Sequence, residues 1–308
     1  MRTFSHFLFK VTSVPQTRPE IFGFGDNVVD CYADLSAMFP GGNALNVAVF
    51  AQRFGARSGY GGAVADDPAG RLIRRALVAE EVDISRLRIV PGRTAYCVID
   101  TRDGEREFVC ADLGVSIVAP GQADLARMAE ADAVHTGRSS HLDSWLGQIA
   151  SLTRLSYDFA TLHDPVRIAT LAPHCYLASF SGGGLGVEAA AHLAKQASEA
   201  GAVWALVTRG KDGAILNGPD GMVAVPARPI VPLDTLGAGD TFIARTLVGL
   251  LRSEPVPRIL SQAGQEAATT CGEHGAFGHN APIQIDRAEA KTMDELYRTT
   301  SPAPAPIE

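Results

Sequence analysis

Short apolar runs alternate with amphipathic stretches along most of this chain, and no other feature restricts its fold so strongly. Runs typical of buried strands, such as 58–64 and 203–208, are separated by stretches such as 68–80, in which apolar residues recur three and four positions apart. Strands that alternate with helices in this way form a parallel sheet with helices on both faces. The sequence therefore predicts an α/β fold with a doubly wound, mostly parallel sheet, whose ligands bind beyond the carboxyl ends of the strands.

These patterns predict ten strands and seven helices. The strands are 21–25, 58–64, 96–100, 107–110, 133–135, 155–159, 176–178, 203–208, 214–216 and 222–225. The helices are 43–54, 68–80, 122–130, 142–152, 187–200, 239–251 and 256–271. Strands 96–100 and 107–110 interrupt the alternation, because the Asp103-Gly104 pair between them is typical of a hairpin turn.

The run Asp234-Thr235-Leu236-Gly237-Ala238-Gly239-Asp240-Thr241 carries the clearest chemistry, because it is a turn that leads directly into a predicted helix. The first N–H groups of a helix lack intrahelical acceptors and the helix dipole favours negative charge there, so such a turn can bind an anion. Gly237 and Gly239 have no Cβ atoms to hold the anion away. Asp240 is placed to accept the proton of a hydroxyl group that attacks a bound phosphoryl group.

The residues alone leave structural alternatives open at this turn. Asp240 can be a helix N-cap, a role in which aspartate is favoured and contributes about 1 kcal/mol. The segment 237–239 can be a tight turn without a ligand.

The same run resembles the C-terminal signature of the ribokinase (PfkB) family of sugar kinases. A second block, in the order that the family has, supports this resemblance. It consists of Gly41-Gly42-Asn43-Ala44-Leu45-Asn46, Gly61-Gly62 and Asp66-Asp67-Pro68-Ala69-Gly70. The similarity covers roughly residues 21–280. It implies a ribokinase-like fold and a cytoplasmic, ATP-dependent carbohydrate kinase that uses Mg²⁺, with K⁺ as a further cation.

The resemblance also implies the catalytic and sugar-binding residues. Asp240 would be the general base, and the backbone of Gly237, Ala238 and Gly239 the anion hole. The sugar-binding residues would be Asp30, Asn27, Gly41, Gly42, Asn43 and Asn46. Two of these have structural alternatives, since Asp30 can be a solvated acid at a strand end and Asn43 a helix cap.

On the nucleotide side, the resemblance implies a second group of residues. These are Thr208, Gly210, Gly213, Thr235 and His274. As a bare motif, 210–213 is only a β-turn, and His274 is equally compatible with a polar loop. Asp234 matches the family position that helps to hold a monovalent cation, and its alternative is a turn-capping carboxylate.

One segment departs from the family pattern. Relatives carry Asn-x-x-Glu after the strand predicted at 176–178, and that glutamate organises the water shell of Mg²⁺. This chain has Ser179-Phe180-Ser181-Gly182 there, and the next acid is Glu188. Magnesium would then be contacted by Glu188, by another acid or by water alone. Arg245 stands where relatives have a small residue, so its side chain must reach solvent or an anion.

The acceptor sugar is predicted from resemblance within the family. Segments 25–32, 41–50, 83–85 and 274–277 are similar to bacterial fructoselysine 6-kinases, so the expected product is the 6-phosphate of a fructosamine. The alternatives are a kinase for another small sugar or a nucleoside, with ribose, fructose and 2-keto-3-deoxygluconate as examples, or a sugar-binding protein with little kinase activity. The missing Asn-x-x-Glu motivates the last of these and the intact turn before Asp240 opposes it.

Charge and cysteine content restrict partners and compartment. The net charge of −7 and the lack of a basic run argue against nucleic acid and membrane surfaces as partners. Five widely spaced cysteines without a Cys-x-x-Cys motif fit free thiols in a reducing cytoplasm. No run of 18 apolar residues predicts a membrane span.

The domain prediction has three parts. Residues 1–20 are expected to be a flexible leader and 21–285 the kinase domain. Within that domain, the resemblance implies a small β-lid from about 31–40 and 92–112, which closes over the sugar and offers a homodimer contact. Residues 286–308 are expected to be a C-terminal extension that ends in a disordered, proline-rich tail.

Overall fold

A computed structural model describes residues 18–102, 105–288, 290–292 and 295. The predicted hairpin turn at Asp103-Gly104 lies outside the described residues, as do most of the predicted leader and the predicted disordered tail. None of the helices within the described ranges has the length and apolar character needed to cross a membrane.

The described elements follow the predicted alternation. The strands are β1 (Glu20–Phe24), β2 (Val28–Tyr32), β3 (Ala37–Gly41), β4 (Arg57–Val64), β5 (Asp83–Ile89), β6 (Tyr96–Arg102), β7 (Glu105–Asp112), β8 (Ala133–Gly137), β9 (Arg154–Asp158), β10 (Leu177–Ser181), β11 (Trp204–Thr208), β12 (Ala214–Gly218), β13 (Gly221–Val225), β14 (Ala281–Pro282) and β15 (Lys291–Thr292). The helices are α1 (Asn43–Arg53), α2 (Pro68–Ala79), α3 (Gln122–Glu130), α4 (Leu146–Leu152), α5 (Pro165–Leu171), α6 (Val187–Glu199), α7 (Ala238–Leu251) and α8 (Val256–Thr270).

The larger sheet has nine strands in the order β13-β12-β11-β10-β9-β8-β1-β4-β5. Its strands from β11 to β5 are parallel, and β12 and β13 join antiparallel at one edge. Side chains of successive strand residues enter opposite faces, so Ile21 joins the hydrophobic core under α1, α2, α7 and α8, whereas Phe22 joins the core under α3, α4, α5 and α6. The predicted doubly wound α/β sheet is confirmed.

A second sheet of six strands has the order β14-β3-β2-β6-β7-β15. Its β2 and β6 run parallel and its other pairs are antiparallel. It contains most of the two segments predicted for the lid, which supply β3, β6, β7 and the end of β2. That this sheet closes over a sugar or joins two copies of the chain stays a prediction.

The sequence patterns missed some elements. The edge strand β5 was not predicted, because its residues lie half-buried or exposed and lack a clear apolar alternation. Helix α5 is only seven residues long and begins where Asp164 accepts a hydrogen bond from the N–H of Arg167. The strand predicted at 176–178 continues to Ser181, so the segment that departs from the family pattern begins inside β10. The five cysteines are free thiols, as predicted.

Candidate active site

The predicted site residues gather at the carboxyl ends of the parallel strands. There β8 ends at Gly137, β9 at Asp158, β10 at Ser181 and β11 at Thr208. Helices α1 and α7 begin at the same edge and pack against each other. Residues from both signature blocks, which lie about 200 positions apart in the chain, are therefore neighbours in the fold.

Helix α7 begins at the predicted turn. Gly237 is its N-cap residue and has the left-handed backbone angle φ of 75°. A Cβ atom on Gly237 would lie 2.6 Å from the Cβ and 2.7 Å from the Cα of Ala276, so this position requires glycine. Ala238, Gly239 and Asp240 are the first three helical residues, and N–H groups at such positions have no intrahelical acceptor.

The Asp240 carboxylate is held by two asparagines of α1. The Nδ2 atom of Asn43 donates to Oδ1 over 2.9 Å, and the Nδ2 atom of Asn46 donates to Oδ2 over 2.6 Å. No side chain caps α7, so Asp240 is not the N-cap that the sequence left open. Burial raises the pKa of Asp240 to about 6, although the two amide donors oppose this rise.

A second carboxylate, Asp158, shares the same amide. The Nδ2 atom of Asn43 also donates to Oδ2 of Asp158 over 3.0 Å, and the backbone N–H of Ala160 donates to Oδ1 over 3.0 Å. Burial, followed by the charge of Asp240, raises the pKa of Asp158 to about 7. The other side of the Asn43 amide faces His135, whose Nε2 atom lies 3.1 Å from Oδ1. Sequence reasoning missed both Asp158 and His135.

The start of α1 is capped by a residue from the loop after β1. Gly42 is the N-cap position, and Asp26 accepts hydrogen bonds from the backbone N–H groups of Asn43 and Ala44 over 2.9 and 3.3 Å. Asn43 is therefore not the helix cap that was its alternative. Asp26 was not predicted as a site residue, although its position directly after a buried parallel strand was the available signal.

The other predicted sugar-side residues lie between β2, β3 and the larger sheet. Asp30 is only 5% exposed, so it is not the solvated acid of the alternative interpretation. A Cβ atom on Gly41 would lie 2.4 Å from Oδ2 of Asp30, so glycine leaves the room that this carboxylate occupies. The amide nitrogen of Asn27 donates to Tyr60 and to the carbonyl of Ala63, which ties the loop after β1 to β4.

A cavity of about 570 Å³ lies beside the start of α7. Four of the five residues predicted for the nucleotide line it, namely Thr208, Gly210, Gly213 and Thr235. Ala238 and Gly239 line it too, so the turn opens into this cavity. Sequence reasoning missed other parts of its lining, above all residues 226–230, Pro232 and the α8 residues Gly264, Ala267 and Ala268, because nothing local in these stretches signals a ligand.

His274 is not among the described residues that line this cavity. Its ring packs instead against the second sheet, with its centroid 6.1 Å from that of Tyr32 and 6.4 Å from that of Phe39. His274 thus does not line the cavity with the other four predicted nucleotide residues, and its role toward the nucleotide stays a prediction.

Asp234 is buried and ties together three parts of the chain. Its carboxylate accepts hydrogen bonds from the hydroxyl of Tyr32 over 2.5 Å, from the N–H of Leu236 over 2.8 Å and from the N–H of Gly275 over 2.9 Å. The Leu236 contact is the one expected of a turn-capping carboxylate. The monovalent-cation role of Asp234 remains a prediction beside it.

The segment that lacks the Asn-x-x-Glu of the family is not accompanied by a group of metal-binding side chains in the described residues. Glu188 is exposed in the first turn of α6, and no group of three or more His, Cys, Asp or Glu side chains suited to a metal ion occurs in the described part of the chain. None of the described residues that line the cavity is acidic. Arg245 is buried and pairs with Glu254 over 2.5 Å, so it reaches an anion of the protein itself.

Comparison with known proteins identifies the family to which the chain belongs. The model of the pfkB family carbohydrate kinases matches residues 27–172 and 177–283. Fructosamine kinase FrlD of Bacillus subtilis (strain 168) is 35% identical over 272 residues, which cover 87% of this chain and 96% of the relative. Fructoselysine 6-kinase of Shigella flexneri is 34% identical over 261 residues, covering 82% and 97%. The structure of Arabidopsis thaliana ribokinase with ribose and ATP superimposes with a TM-score of 0.74 at 20% identity, covering 85% of this chain and 95% of that one.

Proposed function

The chain belongs to the pfkB family of carbohydrate kinases and is an ATP-dependent sugar kinase, and from this premise we propose that it phosphorylates O6 of a fructosamine such as fructoselysine. The similarity to a fructosamine kinase and a fructoselysine 6-kinase over more than four fifths of the chain supports this acceptor. The single observation that carries the proposed mechanism is the position of Asp240, held by two α1 amides where α7 begins at the cavity.

In the proposed reaction, Asp240 acts as general base. It accepts the proton of the sugar hydroxyl while that oxygen forms a bond to the γ-phosphorus, and the bond from phosphorus to the leaving oxygen of ADP breaks. The N–H groups of Gly237, Ala238 and Gly239 would stabilise the charge of the transferred group. ATP would occupy the cavity lined by Thr208, Gly210, Gly213 and Thr235.

The acceptor and the two cations are separate parts of the proposal. None of the described residues that line the cavity is acidic, so this lining does not form a magnesium site of its own. Mg²⁺ would arrive bound to the triphosphate, with water as its other ligand. Potassium, if it activates, would lie near Asp234. The sugar would lie toward Asp30, Asn27, Gly41, Gly42, Asn43 and Asn46.

An ADP-release assay with a panel of acceptors tests the proposed function. Fructoselysine, fructose, ribose and adenosine are compared at equal concentration, and we expect the highest kcat/KM with fructoselysine. A higher value with another acceptor would reassign the substrate and leave the kinase intact. Sugar binding by calorimetry without turnover of any acceptor would instead support the sugar-binding protein that lacks useful kinase activity.

A further inference from the structure

The hydrogen bonds around Asn43 leave only one arrangement of its side-chain amide. Its NH₂ group faces the carboxylates of Asp240 and Asp158, which accept hydrogen bonds when ionised. Its Oδ1 atom must therefore be the group that faces Nε2 of His135 at 3.1 Å. A flipped amide would direct its carbonyl oxygen at two carboxylates and lose both hydrogen bonds.

His135 has a matching arrangement. It is completely buried, and burial lowers its pKa to about 3, so the ring is neutral and has one N–H group. Because Asn43 presents an acceptor, the N–H must be at Nε2, and Nδ1 must then accept from the Ser156 hydroxyl 2.9 Å away. Donors and acceptors therefore alternate without conflict from Ser156 on β9, through His135 on β8, to Asn43 on α1.

Neighbouring backbone keeps this chain of hydrogen bonds in place. A Cβ atom on Gly137 would lie 2.3 Å from Oδ1 of Asn43, so the end of β8 leaves room for the amide and for little else. Ser156 and His135 are both 0% exposed, so water does not compete for their hydrogen bonds. Such a buried and matched network holds its members in one orientation.

We propose that His135 is a positioning residue for phosphoryl transfer, which fixes the amide of Asn43 in the orientation that stabilises the ionised carboxylate of Asp240. This inference rests on the proposed role of Asp240 as general base. The other charged groups that face the network are Asp26, in the loop after β1, and Asp158, at the end of β9. Both are acids, and the charge of Asp26 raises the pKa of Asp240, so the amides of Asn43 and Asn46 are what opposes this rise.

The test is the pH dependence of kcat/KM in the ADP-release assay, with whichever acceptor the wild-type protein uses best. His135→Leu removes the N–H donor, and His135→Gln restores an amide N–H close to the position of Nε2. We expect the acidic limb of the His135→Leu profile to move to higher pH by about one unit. The ratio of the variant's kcat/KM to that of the wild type should then be about tenfold lower at acidic pH than on the plateau. His135→Gln should return the limb toward the wild-type position.

Controls separate this effect from a loss of packing. Leu155→Ala creates a cavity in the hydrophobic core beside β9, the strand that also carries Ser156. It should lower stability while leaving the acidic limb in place. If His135→Leu does not fold, His135→Met removes the same N–H donor with a more adaptable side chain and should move the limb in the same direction. An unchanged limb in these variants, with only stability lost, would overturn the inference. Full activity of Asp240→Asn would overturn the proposed base itself, which is a distinguishable result.

Discussion

Two glycines of the turn before α7 should respond in opposite ways to the same added methyl group. Gly237 has a left-handed backbone, and a Cβ atom there would meet Ala276 at 2.6 Å. Gly239 is the second residue of the helix, and a Cβ atom there would meet nothing within 4 Å, because the space beyond it is open. Gly239 also lines the cavity, so its methyl group would stand at the edge of the space proposed for the triphosphate.

The two substitutions therefore separate a structural turn from an anion hole. For Gly237→Ala, the left-handed backbone alone costs roughly 1–2 kcal/mol, and the contact with Ala276 adds to it, so the free energy of unfolding should fall by at least ~2 kcal/mol. For Gly239→Ala, the added helix propensity should keep stability unchanged or raise it by up to about 1 kcal/mol. Its kcat/KM for ATP should nevertheless fall by about 10²-fold, because the methyl group displaces the phosphate.

Thermal or urea unfolding and ADP release measure the two effects independently. The phosphate interpretation is refuted if Gly239→Ala turns over ATP like the wild-type protein. The strain interpretation is refuted if Gly237→Ala unfolds at the same denaturant concentration as the wild type. If the turn binds no ligand, Gly237→Ala should still lower stability, but Gly239→Ala should keep the wild-type kcat/KM for ATP.

Three further predictions follow from the same geometry. Asp240→Asn should still bind ATP and sugar, measured by calorimetry, but lose at least ~10²-fold in turnover, and retained turnover would remove Asp240 as the base. The pKa of Asp158 is raised to about 7, so its neutral form stabilises the fold fully below pH 3.8 and this contribution is lost as the pH rises through 7. Asp158→Asn should therefore gain stability relative to wild type by up to about 4 kcal/mol between about pH 4 and 8, and unfolding curves that run parallel across this range would contradict the shift. Asp234→Asn should abolish any activation by potassium over sodium, and activation that persists would leave Asp234 with its capping role alone.

The sequence could predict those parts of the site that are built by adjacent residues. The turn at 237–239 follows from a local pattern, because a turn and a helix start each have their own signal, whereas Thr208, Gly210 and Gly213 are implied only by the family resemblance. The parallel sheet follows from the alternation of these signals. These predictions therefore agree with the described fold and with the lining of the cavity.

Contacts between distant segments could not be read in the same way. His274 packs against Tyr32 and Phe39, more than 230 positions earlier in the chain, and no local pattern indicates that pairing. His135 and Asp158 meet Asn43 only because β8 and β9 end at the edge where α1 begins. Their residue types were visible, but the strand order and the register that make them neighbours were not.

The choice of amides rather than cations around Asp240 has a chemical consequence. A lysine or arginine beside this carboxylate would stabilise its charge strongly, lower its pKa and make it a poorer proton acceptor. Asn43 and Asn46 hold both oxygens in place by hydrogen bonds, while burial and the nearby Asp26 keep the pKa at about 6. In the proposed reaction, this carboxylate would be ionised at neutral pH and still basic enough to take a proton from an alcohol whose oxygen attacks phosphorus. Because burial raises the pKa of Asp240 and of Asp158, the ionisation of these two acids at the same pH lowers the stability of the fold.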